Sequence, residues 1–203
     1  MVTYLVLGAT YGFAAGAQPG QLQAYLINRA VAHGWRSTLP AALAPVLSDA
    51  PIIALVLLVL TRVPPLMVHV LQTAGGVFLL YLAWNTAVAY RNTHPAQPVS
   101  ARQTLFRAAV LNLLNPNPYL GWSLVMGPIF LDAWHRAPSS AAALVAAFYG
   151  TMVIISAVIV LVFAMARSLG ERLSRACVAI SAVALACFGL YQLWSGATAL
   201  LGR

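Results

Sequence analysis

Of the 203 residues, 62% are hydrophobic, while 11 are basic and 3 acidic, giving a formal net charge of +8. A water-soluble domain carries about 25% charged residues to keep its surface wet, against 7% here, so the composition places the chain in a bilayer. Every basic residue is an arginine. Without lysine there is no phosphate-gripping P-loop and no Schiff base with retinal or pyridoxal phosphate, so no cofactor is expected and ATP hydrolysis by this chain alone is excluded.

The arginines stand in ones, twos and threes between apolar runs, which is a topology signal rather than a nucleic-acid patch. The runs predict six spans: Tyr4 to Ile27, Leu39 to Leu60, Leu66 to Tyr90, Leu105 to Leu131, Ala141 to Ala166, and Ala176 to Leu201. With about 20 apolar residues per span, these use up the sequence and leave no room within it for a soluble domain. Ala15-Gly16-Ala17 could pass for a signal-peptidase site, but the first positive charge is Arg29, so the segment reads as a span. Cys177 and Cys187 share one apolar run, where a helix holds them too far apart for a disulfide.

The longest connection, residues 91–103, divides one transmembrane domain (1–203) into repeats 1–90 and 104–203. Leu80-Tyr81-Leu-Ala-Trp84 closes the third span as Leu190-Tyr191-Gln-Leu-Trp194 closes the sixth, and each repeat opens with a proline among amides. Three spans per repeat point the copies in opposite directions across the membrane. The fold class expected is therefore all-α, with six transmembrane helices as two inverted three-helix repeats, an arrangement common among secondary transporters.

A proline inside a span removes a backbone donor and displaces a carbonyl, which hydrocarbon cannot satisfy. Gly16, Pro19 and Gly20, flanked by Gln18, Gln21 and Gln23, break the first span; Pro116 and Pro118, flanked by Asn112, Asn115 and Asn117, break the fourth. Paired breaks at corresponding positions point to a substrate site, so Gln18, Pro19, Gly20, Gln21, Asn115, Pro116 and Asn117 are the candidate substrate-binding residues. Each restarted helix is expected to offer free backbone donors to a carboxylate, with carbonyls and amides for an ammonium group. The competing reading is two structural kinks.

Asp49 is the sole acidic residue within the predicted spans. A carboxyl at that depth needs a partner or water and can exchange a proton as its surroundings alternate between wet and dry, which makes it the candidate for proton coupling. Ser48-Asp49-Ala50-Pro51 also looks like a helix N-cap. Tyr119 and Trp122 follow the second break on one helical face and suit either a cavity wall or the core. The Tyr-x-x-Trp pairs suit an interfacial belt. His33, His69, His94 and His135 have no metal-ligand spacing, and Ser195 has no serine-hydrolase context; neither a metal site nor an enzyme is expected.

Taken together, these residues resemble the LysE-type, or RhtB-type, amino-acid exporters over essentially the whole chain. That family opens with a Gly-rich first span ending in Pro-Gly-Pro, matched by Gly12, Gly16, Pro19 and Gly20; His33-Gly34-Trp35-Arg36 matches its first loop, and Asp49 its intramembrane aspartate. Gly75-Gly76 before Tyr81-Leu82-Ala83-Trp84 matches the third span, and Asn115-Pro116-Asn117 its Asn-Pro-Lys. Two positions depart: Gln21 replaces the second proline and Asn117 the lysine. The resemblance implies efflux of amino acids or similar small zwitterions driven by an ion gradient, from the inner membrane of a bacterium. The alternatives are a metal-ion exporter of the same superfamily and a non-transporting scaffold subunit; association into a homodimer is left open.

Orientation follows from charge. Six spans put Arg29, Arg36, Arg91, Arg102, Arg107, Arg167, Arg172 and Arg175 on one face, and Arg62, Arg136 and Arg203 on the other. The positive-inside rule makes the first face cytoplasmic and places both termini outside.

Overall fold

A computed structural model describes residues 1–58, 64–91, 99–166 and 170–201. Arg62, His94, Arg167, Arg203, most of the connection 91–103 and the side chains of Arg91 and Glu171 lie outside the described residues. All regular structure among them is helical: α1 (Val2–Ala17), α2 (Gln21–His33), α3 (Trp35–Thr38), a 3-10 turn (Leu39–Leu43), α4 (Ala44–Leu58), α5 (Pro65–Arg91), α6 (Ala101–Leu113), α7 (Pro116–Gly121), a π-helical turn (Trp122–Met126), α8 (Gly127–Arg136), α9 (Pro138–Ala166) and α10 (Glu171–Leu201). Among the described residues, four stretches are long and apolar enough to cross a bilayer: Trp35–Leu58, Pro65–Val88, Pro138–Met165 and Arg175–Leu201. The first and fourth predicted spans are interrupted helices instead.

Local chemistry sets these interruptions. Helix α1 stops before Pro19, and α2 restarts from Gly20 and ends at Gly34, whose φ of 83° favours glycine. Helix α6 begins before its apolar run because Ser100 caps it, accepting a hydrogen bond from the Gln103 backbone N–H at 3.2 Å. Pro128, in the first turn of α8, cannot donate to the carbonyl four residues earlier, and the π turn lies immediately before it.

Small residues then bring helices together. Gly8, Gly12 and Gly16 of α1 lie against α9, where a Cβ on Gly12 would collide with the Phe148 carbonyl. Gly76 of α5 meets α10 just as closely, since a Cβ there would lie 2.6 Å from the Leu193 nitrogen and 2.8 Å from the Gly189 oxygen. Outside that pair, α2 is the principal neighbour of α10, while α6 packs on α4.

Two cores result. One gathers Leu22, Tyr25 and Leu26 of α2 with Leu79, Leu82, Leu111, Val160 and Leu185, toward the end of the bundle that holds His33 and Arg91. Asn28, 2% exposed, locks that end by donating to the Ser181 Oγ at 3.0 Å and accepting from the Thr86 Oγ1 at 3.4 Å. The other core joins Tyr4, Ile52, Val56, Trp122, Met126, Leu144 and Phe148 toward the end that holds the N-terminus. It draws on α1, α4, α7, the π turn, α8 and α9, with α5 contributing only partly buried Met67 and Leu71 at its margin. A cleft opens there between these helices and the α5–α10 pair.

Candidate functional site

That cleft holds a cavity of about 520 Å³, within the range of roughly 300–1,000 Å³ typical of small-molecule sites. Its wall contains Gln18, Pro19, Gly20, Gln21, Asp49, Asn115, Pro116 and Asn117, so all eight residues selected from the sequence meet at one place. Helices α1 and α2 bring the first break, α6 and α7 the second, and α4 supplies Asp49. No arginine or histidine lines the cavity among the described residues, and Asp49 is its only acidic side chain.

The two breaks touch. Gln21 Nε2 donates to Asn115 Oδ1 at 3.2 Å, and that oxygen also accepts the Asn117 backbone N–H at 3.1 Å, capping α7. Gln23 Nε2 donates to the Gly16 carbonyl at 3.0 Å, satisfying a backbone oxygen near the end of α1. Gln23 is thus a kink stabiliser. Gln18 is exposed at the cavity mouth.

The expectation that both restarted helices offer free donors needs correction at α7. Pro116 and Pro118 have no N–H, and that of Asn117 is taken by Asn115. Helix α2, whose N-terminus has no side-chain cap, keeps its first donors.

The N-cap reading of Asp49 is also overturned. Asp49 lies inside α4 and is 4% exposed, and its carboxylate accepts from side chains rather than from the first turn of a helix. Asn112 Nδ2 donates to Oδ1 at 2.6 Å, and the Tyr149 hydroxyl donates to Oδ2 at 2.9 Å. Asn112 also donates to Ser48 Oγ at 2.8 Å, which spends both its amide hydrogens. Each carboxylate oxygen therefore has a donor, as a buried charge requires.

Residues 13–196 match the LysE type translocator family, which is most of the chain. The chain belongs to the LysE type translocator family. It is accordingly a multi-pass membrane protein of a family of small-molecule transporters. No curated protein and no solved structure matches it.

Against that LysE type background, three residues of the site carried no distinguishing signal in the sequence. Tyr149 is one aromatic residue in the long apolar run of α9, Gln192 sits where the first repeat has Leu82, and Gln72 lies on the face of α5 toward the cavity. Trp122 lines the cavity at 2% exposure, while Tyr119 turns into the core and donates to the Leu113 carbonyl at 3.0 Å. Tyr81, Trp84 and Trp194 project outward, as a belt at a membrane interface would.

Proposed function

We propose that this protein is a proton-coupled secondary exporter of amino acids or similar small zwitterions, and that it binds them between the two broken helices. The observation carrying this reading is the convergence of both breaks and one hydrogen-bonded carboxylate on a single cavity. Gln18, Pro19, Gly20, Gln21, Asn115, Pro116 and Asn117 frame the solute. The carboxylate end faces the uncapped start of α2, and the amino end faces amide oxygens, so no fixed cation is needed.

Asp49 is the coupling group in this proposal. Held by Asn112 and Tyr149, it sits in the wall that the solute touches, where arrival of cargo changes its access to water. A divalent metal as cargo is less well served, because its sites are built mainly on carboxylates with other oxygen ligands, and among the described residues Asp49 is the one carboxylate in the wall and already accepts two hydrogen bonds.

The inverted-repeat layout is part of the same proposal, with repeats 1–90 and 104–203. The packing supports it: exchanging the repeats maps the α1–α9 contact onto α6–α4 and the α5–α10 contact onto itself, and these contacts are all present. Orientation in this proposal follows from the arginine count, which puts both termini outside a bacterial inner membrane. A C-terminal reporter that works only in the cytoplasm should stay silent; activity would reverse the orientation.

The decisive experiment is counterflow and gradient-driven flux in proteoliposomes, with a panel of labelled amino acids and an imposed proton gradient. Uphill movement of at least one amino acid that collapses with the gradient is expected. Absence of flux for the entire panel would sink the reading.

A further inference from the structure

Two buried oxygens in the cavity wall have no hydrogen-bond donor among the described residues: Oε1 of Gln21, on a residue 5% exposed, and Oε1 of Gln192, on a residue 6% exposed. Leaving a buried acceptor unpaired is costly, so such atoms mark where a donor is missing. The orientation of Gln21 is fixed step by step. The Asn117 N–H can only donate, which makes the Asn115 atom it meets an oxygen; that oxygen in turn selects the amide nitrogen of Gln21, leaving Oε1 on the other branch.

Gly75 makes the place for Gln192. A Cβ there would lie 2.8 Å from Gln192 Oε1 and 2.7 Å from the Leu114 carbonyl oxygen, so the missing side chain lets two acceptors sit beside the second break. Farther along, the cavity wall is apolar except for the Trp122 indole N–H: Trp122, Val125, Met126, Phe148 and Met152. No basic side chain faces it among the described residues, and the one carboxylate that does, Asp49, already accepts a hydrogen bond on each oxygen.

We propose that Gln21 and Gln192 receive the amino group of the solute through their side-chain carbonyl oxygens, and that the Trp122–Met152 wall receives an uncharged, apolar side chain. The preferred cargo is then an α-amino acid of the leucine, methionine or phenylalanine type. This rests on the exporter reading and adds to it a specificity-determining residue, Gln192, and a substrate class. Along this wall the cation of lysine or arginine would lie against apolar side chains and could reach Asp49 only by competing with Asn112 and Tyr149, and the anion of glutamate or aspartate would meet no cation; both are costly.

Counterflow in proteoliposomes tests this with leucine as probe and three competitors: lysine, glutamate and the leucine analogue whose amino group is replaced by hydroxyl. Leucine should outcompete the other three by about 10-fold or more, the scale of one hydrogen bond to a charged donor. Gln192→Met, similar in size but without the acceptor, should raise the half-saturating leucine concentration by about 10-fold and shrink the preference for leucine over its hydroxy analogue. An unchanged melting temperature in detergent establishes that the variant is folded; Gln192→Asn is the second variant should Gln192→Met not be.

Wild-type affinity and selectivity in the substituted protein would overturn the role of Gln192 while leaving the exporter reading intact. Lysine or glutamate competing better than leucine would overturn the substrate class. Failure of every amino acid to exchange in the unsubstituted protein would overturn the exporter reading itself.

Discussion

The two helix breaks look alike in sequence, each a proline among amides, yet they are finished differently. The first keeps its chemistry open: α2 starts without a side-chain cap, and Gln21 leaves one oxygen unpaired. The second is closed on itself, with two prolines that cannot donate, Asn115 capping the restart and Asn112 committed to Ser48 and Asp49. A symmetric pair of kinks would need neither difference. The contrast suggests a division of labour, in which the first break meets the solute and the second holds the carboxylate.

The largest effect should come from the closed side. Asp49→Asn keeps an oxygen for Asn112 and offers an amide to the Tyr149 oxygen, so the protein should fold and insert. Uphill export in proteoliposomes should nevertheless be abolished, with some downhill exchange retained. Uphill export at the normal rate and with normal dependence on the proton gradient would reduce Asp49 to a structural partner and erase the division.

Asn115→Ala should have an intermediate effect, because one oxygen serves both breaks. Loss of a helix N-cap costs about 0.5–2 kcal/mol, and the Gln21 amide loses its acceptor as well. Thermal melting in detergent should fall accordingly, and Asn115→Asp, which keeps the oxygen, should recover most of the loss. A melting curve for Asn115→Ala that overlays the wild type would show that the breaks are not joined in this way.

Gly20→Ala should matter least. Its φ of −161° is extended backbone open to any residue, and a Cβ would find nothing nearer than Gln23 Oε1 at 3.7 Å. Stability should stay within about 0.5 kcal/mol. A drop of several degrees in melting temperature would mean that the first break is more tightly packed than its open character implies.

What the sequence revealed follows from how local each signal is. Pro19, Pro116 and their amides announce the breaks because proline acts on the four residues before it, and Asp49 stands out in any apolar run. Partners chosen across the bundle left no such trace. Tyr149 is 100 residues from Asp49, and Asn28 is 153 from Ser181; each looks ordinary until packing brings the pair together. Ser48-Asp49-Ala-Pro51 reads as a cap because those residues favour caps, but here the tertiary donors Asn112 and Tyr149 outweighed the local preference. The missing donors at α7 were legible, since Pro116 and Pro118 are in plain view; treating the two restarts as equivalent hid them.

The Asn28 hydrogen bonds have one more consequence. Together with Leu26, Leu79 and Leu185 they give the chamber a floor, formed where α2 packs on α10 and Asn28 ties it to Thr86 of α5. In the exporter proposed above, solute leaving the cavity toward that end would have to part this floor, so the barrier on that side stands before any cargo arrives. A floor pinned by a few polar bonds can part along a defined seam and close again in the same register, whereas an all-apolar contact would specify no such seam.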